Sequence, residues 1–248
     1  LLMEALDLFR LDGKTVLVTG ASSGIGQSIA EACAEVGARV VLHGRNEQRL
    51  GQVLKSLQGE GHGVIAGDLN DFDHLFALVD QLPELDGVVH CAGIDGVAPM
   101  RMVQPQMLEN VFRINYMAPM VLTQRLLQRK KIRAHGAILF MSSIAAKTGK
   151  VGVGPYSGSK AALLGTMRPL ALEVAKHGMR VNALCPGIVL TPLFDGFKEH
   201  IQQDVAPSYP LGLGEPQDVA YAAVFFLADA SRKITGTDFS IDGGVPFT

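Results

Sequence analysis

Three side chains in one short stretch have the types and spacing needed to move a proton: Ser143, Tyr156 and Lys160. Ser143 follows the apolar run Ala137 to Met141, Tyr156 comes thirteen residues later, and Lys160 four after that. The run from Ser159 to Ala175 has few helix breakers, so Tyr156 is expected to open a helix. Spacing of i, i+4 then sets phenol and ammonium on one face. A free tyrosine, with a pKa near ~10, is a poor base at neutral pH. A lysine charge about 4 Å away, at an effective dielectric of roughly 20, favours the phenolate by up to ~4 kcal/mol, which brings proton exchange towards neutral pH. The bland alternative is a solvated lysine lying along an aromatic ring, so the pair needs company elsewhere in the chain.

The elements that must position it alternate. Strands are expected at Lys14 to Thr19, Ala38 to His43, Gly63 to Gly67, Gly87 to Cys91, Ala137 to Met141, Arg180 to Cys185 and Asp238 to Ile241. Helical stretches fall between them, near residues 25–36, 46–58, 71–82, 104–131, 156–177 and 216–229. Near-continuous apolar strands imply burial on both faces. This is the pattern of one α/β domain over residues 1–248, a doubly wound parallel sheet of Rossmann type with helices on both faces. Pro169 lies inside the helix carrying Tyr156 and Lys160, where a kink is expected. From Thr191 to Pro210 the rhythm lapses, with Phe194, Phe197 and Tyr209 among polar residues, and a substrate lid is expected there.

Composition excludes several classes. The chain has 248 residues, 48% hydrophobic and 19% charged, and its net charge of -2 leaves no electrostatic footprint for nucleic acid or an anionic membrane. Cys33, Cys91 and Cys185 sit in apolar runs with no metal-ligating pair. They read as reduced cysteines of a cytoplasmic protein. Leu1 to Arg10 lacks a signal peptide's apolar core, and no run is long enough to span a bilayer.

Strand one ends in Gly20-Ala21-Ser22-Ser23-Gly24-Ile25-Gly26. This is a tight turn whose glycines let a pyrophosphate approach, followed by a helix whose first amides face the ligand. The same residues spell G-x-S-x-G, the nucleophile elbow of a serine hydrolase, with Ser22 as nucleophile. Chain order speaks against that second reading, because it leaves Gly26 unexplained.

From about Leu11 to Gly244 the chain resembles the short-chain dehydrogenase/reductase family. The matching motifs are Thr19-Gly20-x-x-x-Gly24-Ile25-Gly26, Asp68-Leu69, Ala92-Gly93, Asn115, Ser143, Tyr156-x-x-x-Lys160, Asn182, Pro186-Gly187 with Thr191, and Asp242-Gly243-Gly244. The resemblance implies hydride transfer between a nicotinamide cofactor and an alcohol or carbonyl. It implies that Tyr156 is the general acid or base, that Lys160 lowers its pKa and holds the nicotinamide ribose, that Ser143 bonds the reacting oxygen, and that Asn115 supports a water. It further implies cofactor contacts from the glycine turn, Asp68 and Leu69 at the adenine, Ala92 and Gly93, and Pro186, Gly187, Ile188 and Thr191 near the carboxamide. Asp68 and Thr191 also have structural readings as helix caps, and Asn182 and Asp242 read as structural. A non-catalytic cofactor-binding scaffold would not require Ser143 or Tyr156.

After strand two the chain reads His43-Gly44-Arg45-Asn46, with no carboxylate to bind ribose hydroxyls and with Arg45 to attract a 2'-phosphate. NADP(H) is therefore expected over NAD(H), although Ser23 stands where relatives often place a second basic residue. Cys91 replaces the family's usual asparagine, and Pro210 to Val219 lacks a common arginine. Ala145, Val153, Val189 and Phe194, with Ser143 and Tyr156, are the expected substrate contacts, which favours an apolar 3-oxoacyl or steroid-like carbonyl. An acyl carrier protein docking on Arg129 to Arg133 and a homotetramer packed through the two long helices complete the expectations.

Overall fold

A computed structural model describes residues 5–191, 199 and 201–245. Seven strands form one parallel sheet: β1 (Thr15–Thr19), β2 (Arg39–Gly44), β3 (Gly63–Ala66), β4 (Leu85–His90), β5 (Ile132–Met141), β6 (Arg180–Pro186) and β7 (Asp238–Ile241). Their order is β3-β2-β1-β4-β5-β6-β7. The order reverses between β1 and β4, and the crevice beyond the carboxyl ends of strands at such a switch point is where ligands bind.

The central strands are largely apolar because they contribute to two cores. In β5, Ala137, Leu139 and Met141 join one cluster, and Ile138 and Phe140 the other. Helices α1 (Gly24–Glu35) and α2 (Glu47–Ser56) cover the first face together with a late helix, α7 (Pro216–Leu227). The second face is covered by α3 (Phe72–Gln81), α5 (Ala118–Gln128) and α6 (Gly154–Val174). A single α/β domain results, as the alternation of elements required.

Two helices differ in detail from expectation. The stretch at 104–131 is interrupted: α4 (Pro105–Phe112) passes through a π-helical turn, Arg113–Met117, before α5 begins. The cause is in the sequence, because Pro119 has no N–H to give to the carbonyl of Asn115 four residues earlier. The helix α6 runs unbroken through Pro169, where a kink was the expectation. Pro169 and Gly165, whose carbonyl loses its helical donor, are both exposed, so water can take the place of the missing bond. Among the described residues no helix is long and apolar enough to cross a membrane.

Candidate active site

The carboxyl ends of β1, β2 and β4 to β6 open into one cleft of about 1310 Å³. The glycine turn forms one wall. Gly20 has φ +70°, and a Cβ there would lie 2.8 Å from the Ala92 backbone, while a Cβ on Gly26 would overlap the Gly20 carbonyl. Only glycine permits this closeness of turn, helix and β4. Ser23, the N-cap of α1, makes no side-chain capping bond, so the cleft contains a helix N-terminus with amides free for an anion. Uncapped amides, a glycine cradle and Arg45 in the same cleft suit a dinucleotide's phosphates.

The remaining cofactor-type residues line the same cleft: Asp68 and Leu69 after β3, Ala92 and Gly93 after β4, and Pro186 to Ile188 with Thr191 after β6. Asp68 accepts from the Asn70 amide at 3.0 Å, whereas the N-cap of α3 is Asp71. Asn182 clamps Ile234 and Thr237, and Asp242 bonds the Gly244 amide. Ala145, Val153 and Val189 line the cleft beside Ser143 and Tyr156. Phe194, Leu193 and Phe197 lie outside the described residues. Of the expected lid, Ile201, Asp204, Val205, Ser208 and Tyr209 also border the cleft.

Ser143, Tyr156 and Lys160 meet on the opposite wall. Burial pushes the Tyr156 phenol above its ordinary pKa, and the neighbouring Ser143 hydroxyl lowers it in part. Ser143 Oγ itself accepts from the Ala145 amide at 3.1 Å and donates to the Pro186 carbonyl at 3.5 Å. The Lys160 Nζ lies 5.7 Å from the centre of the phenol ring and donates to the Met141 carbonyl at 2.8 Å. Burial brings its pKa down to about 8. The phenol is shifted up rather than down, against the expectation of a lysine that lowers it. The reason is desolvation of both groups in a cleft where the ammonium answers to a backbone oxygen.

Asn115 does not line the cleft. Its amide clamps Ile94, accepting from N–H at 2.8 Å and donating to C=O at 2.9 Å, and donates to Ser159 Oγ at 3.1 Å. Pro119, having no N–H, cannot donate to the Asn115 carbonyl as a helical residue four places on ordinarily does. A Cβ on Gly93 would come within 3.2 Å of both Asn115 Oδ1 and Lys160 Nζ.

Several residues support the site through contacts that the sequence did not foretell. Thr19 Oγ1 accepts from the Cys91 and Ala92 amides at 3.1 and 3.3 Å, stitching β1 to the end of β4. Ser142 Oγ holds the Lys160 carbonyl at 2.9 Å. Tyr209 Oη accepts from the Ile188 amide at 3.0 Å. Cys91, in the place of an asparagine, is held through its backbone N–H, to Thr19 Oγ1 and the Val89 carbonyl, and burial pushes its thiol up to about 12.

Two expectations lose ground. Ser22 has no positive φ of the kind a strained elbow adopts, since the non-glycine residues with positive φ among those described are Lys130 and His135. Nor does any described histidine hydrogen-bond Ser22; His43, the imidazole at the end of β2, is bonded to His74 instead. The basic cluster offered for carrier docking is largely paired: Arg129 with Asp80, and Arg133 with Glu84 and Asp86, while Lys131 bonds the Leu82 carbonyl. It also precedes or opens β5, whose bulge between Ile132 and Ala137 leaves about six strand steps, roughly 20 Å, to the cleft end at Met141.

Comparison with known proteins decides the family. The profile described as "Enoyl-(Acyl carrier protein) reductase" matches residues 20–246. The chain belongs to the short-chain dehydrogenase/reductase family. It is 33% identical over 236 residues to the 3-oxoacyl-[acyl-carrier-protein] reductase FabG of Rickettsia prowazekii, covering 95% of this chain and 98% of the relative. It is also 33% identical over 248 residues to human dehydrogenase/reductase SDR family member 4, covering 95% and 88%. A 7α-hydroxysteroid dehydrogenase complexed with NADH and 7-oxo glycochenodeoxycholic acid superposes with a TM-score of 0.90 at 30% identity, covering 99% of both chains. A putative NAD(P)-dependent gluconate 5-dehydrogenase from Beutenbergia cavernae with bound NADP gives 0.86 at 31% identity, covering 95% and 98%. The protein is a short-chain dehydrogenase/reductase, an NAD(P)-dependent oxidoreductase acting on CH–OH or C=O groups.

Proposed function

We propose that this enzyme uses NADP(H) to interconvert an apolar ketone and its secondary alcohol, with Tyr156 as general acid in reduction and general base in oxidation. The observation that carries this reading is the meeting of Ser143, Tyr156 and Lys160 on the wall facing the glycine turn and Arg45. When bound, the nicotinamide supplies or takes the hydride at the carbon of the reacting group. Hydride arriving at a carbonyl carbon leaves negative charge on its oxygen. Ser143 donates a hydrogen bond to that oxygen, and the Tyr156 phenol gives it a proton. The Lys160 ammonium, buried among few other charges, stabilises the phenolate left behind and holds the ribose hydroxyls. The Asn115 carbonyl, to which Pro119 has no N–H to donate, offers a water its anchor for returning a proton through Lys160.

Arg45 and the absence of a side chain at Gly44 support NADP(H) over NAD(H). The nearest atom to a Cβ on Gly44 is 3.5 Å away, so the first atom of a side chain there meets only ordinary contacts. Gly44→Asp is expected to lower kcat/KM for NADPH at least about tenfold relative to NADH; a clear NADH preference in the unmodified enzyme would refute the NADP(H) reading. The apolar lining of Ile144, Val153 and Val189 favours a 3-oxoacyl or steroid-like carbonyl over a free sugar. Residues 191–210 act as its lid, and the enzyme works as a cytoplasmic homotetramer. An acyl carrier protein, if it delivers the substrate, docks elsewhere than on the paired cluster at Arg129 to Arg133.

The test is a panel of ketones and alcohols followed by NADPH absorbance. Tyr156→Phe is expected to lower kcat by about 10²- to 10⁴-fold. Equal turnover by both proteins would sink the mechanism, and cofactor binding without turnover of any substrate would favour the scaffold.

A further inference from the structure

The adenosine end of the cleft is framed by two segments that are distant in sequence: Gly44 and Arg45 at the end of β2, and Gly67 to Leu69 after β3. Three hydrogen bonds close this frame. Gly67 N–H donates to the Gly44 carbonyl at 3.0 Å, and Ala21 N–H in the glycine turn donates to the His43 carbonyl at 3.1 Å. The third joins side chains: His43 Nε2 meets His74 Nε2, from the first turn of α3, at 3.3 Å. The His74 ring also lies against Gly67 so closely that a Cβ on Gly67 would fall within the imidazole. Backbone bonds continue the chain of support, from His74 N–H to Asp71 Oδ1 at 3.1 Å and from Asp71 N–H to the Asp68 carbonyl at 3.2 Å.

His43 is fully buried, and burial holds its pKa down to about 4, with the nearby His74 adding to this and Asp68 opposing it. A neutral His43 has one N–H. Its Nδ1 is buried without a partner, and a bare lone pair there costs less than an unpaired N–H. The proton therefore sits on Nε2 and is donated to His74. No role in the family mechanism calls for either imidazole.

We propose that His74 is a positioning residue for the adenosine half of the cofactor. Its bond to His43 and its packing on Gly67 hold the Gly44–Arg45 and Asp68–Leu69 walls at one separation. The inference rests on the cofactor reading above. Its test is equilibrium titration of the whole protein with NADPH, and with reduced nicotinamide mononucleotide, which lacks the adenosine half. His74→Ala is expected to raise the Kd for NADPH about tenfold, the equivalent of one hydrogen bond. It should leave the Kd for the mononucleotide, the KM for the carbonyl substrate and kcat unchanged. His74→Gln, whose amide oxygen can accept from His43, should restore most of the NADPH affinity. An unaltered NADPH Kd in His74→Ala, or an equal loss for both nucleotides, would overturn the assignment. Wild-type protein that binds neither NADPH nor NADH would overturn the cofactor reading itself, and the inference with it.

Discussion

At the scale of single residues, the site works by burying groups that ordinarily prefer water. Lys160 is 4% exposed and bonded to one carbonyl, and its lowered pKa follows from that. Two histidines away from the chemistry are buried neutral: His43, and His90, which is pushed down to about 3 and bonds Thr123 Oγ1 at 2.9 Å. In the unfolded chain both titrate near the ordinary value of 6.5. As pH falls below 6.5, the unfolded state gains protons that the folded state does not, so stability falls with it. For His43 alone the loss is on the order of 3 kcal/mol by pH 4. Thermal melts are expected to show Tm dropping steadily from pH 6.5 to 4 and a shallower slope in His43→Gln; a flat profile over that window would contradict the neutral burial. The types and spacing of Tyr156 and Lys160 were readable in one dimension. The partner of the lysine was not, because Met141 offers only a backbone carbonyl, which every residue has.

At the scale of elements, the π-helical turn between α4 and α5 sets Asn115. The long helical stretch was legible from its periodicity, and its interruption follows from Pro119, whose missing N–H matters only once the helix has formed and the Asn115 carbonyl four residues earlier lacks its usual donor. The side chain of Asn115 staples this turn to the loop after β4 through Ile94. Asn115→Leu would leave the partly buried Ile94 N–H and C=O without their side-chain partner, at up to about 1 kcal/mol for each group. Tm is expected to fall by several degrees, with kcat falling beyond what the loss of folded protein explains. Wild-type stability in that variant would show that the staple is dispensable. In α6, Leu163, Leu164, Met167 and Val174 face inwards while Leu172 is 80% exposed, so two-sided burial is not completed within one chain.

At the scale of the whole molecule, that exposed leucine belongs with Tyr221 on α7, 63% exposed, and Phe239 on β7, 48% exposed, as apolar surface left for other copies in the proposed homotetramer. Light scattering is expected to give four copies for the wild type and smaller species for Leu172→Glu; a wild-type monomer would remove the proposal. The parallel, doubly wound sheet could be inferred from local pattern because strands buried on both faces must be apolar along their whole length, and glycine turns and helix starts are written in adjacent residues. The placing of Tyr156 and Lys160 on one helix face could be inferred for the same reason, since four residues of helix bring them together whatever the rest does. Contacts across long separations were settled only by folding. His43 meets His74, Thr19 meets Ala92, Tyr209 meets Ile188, and Arg133 meets Asp86. Each pair depends on strand order and helix docking, which place distant residues side by side, and no periodicity along the chain records which of the many polar side chains will arrive opposite one another.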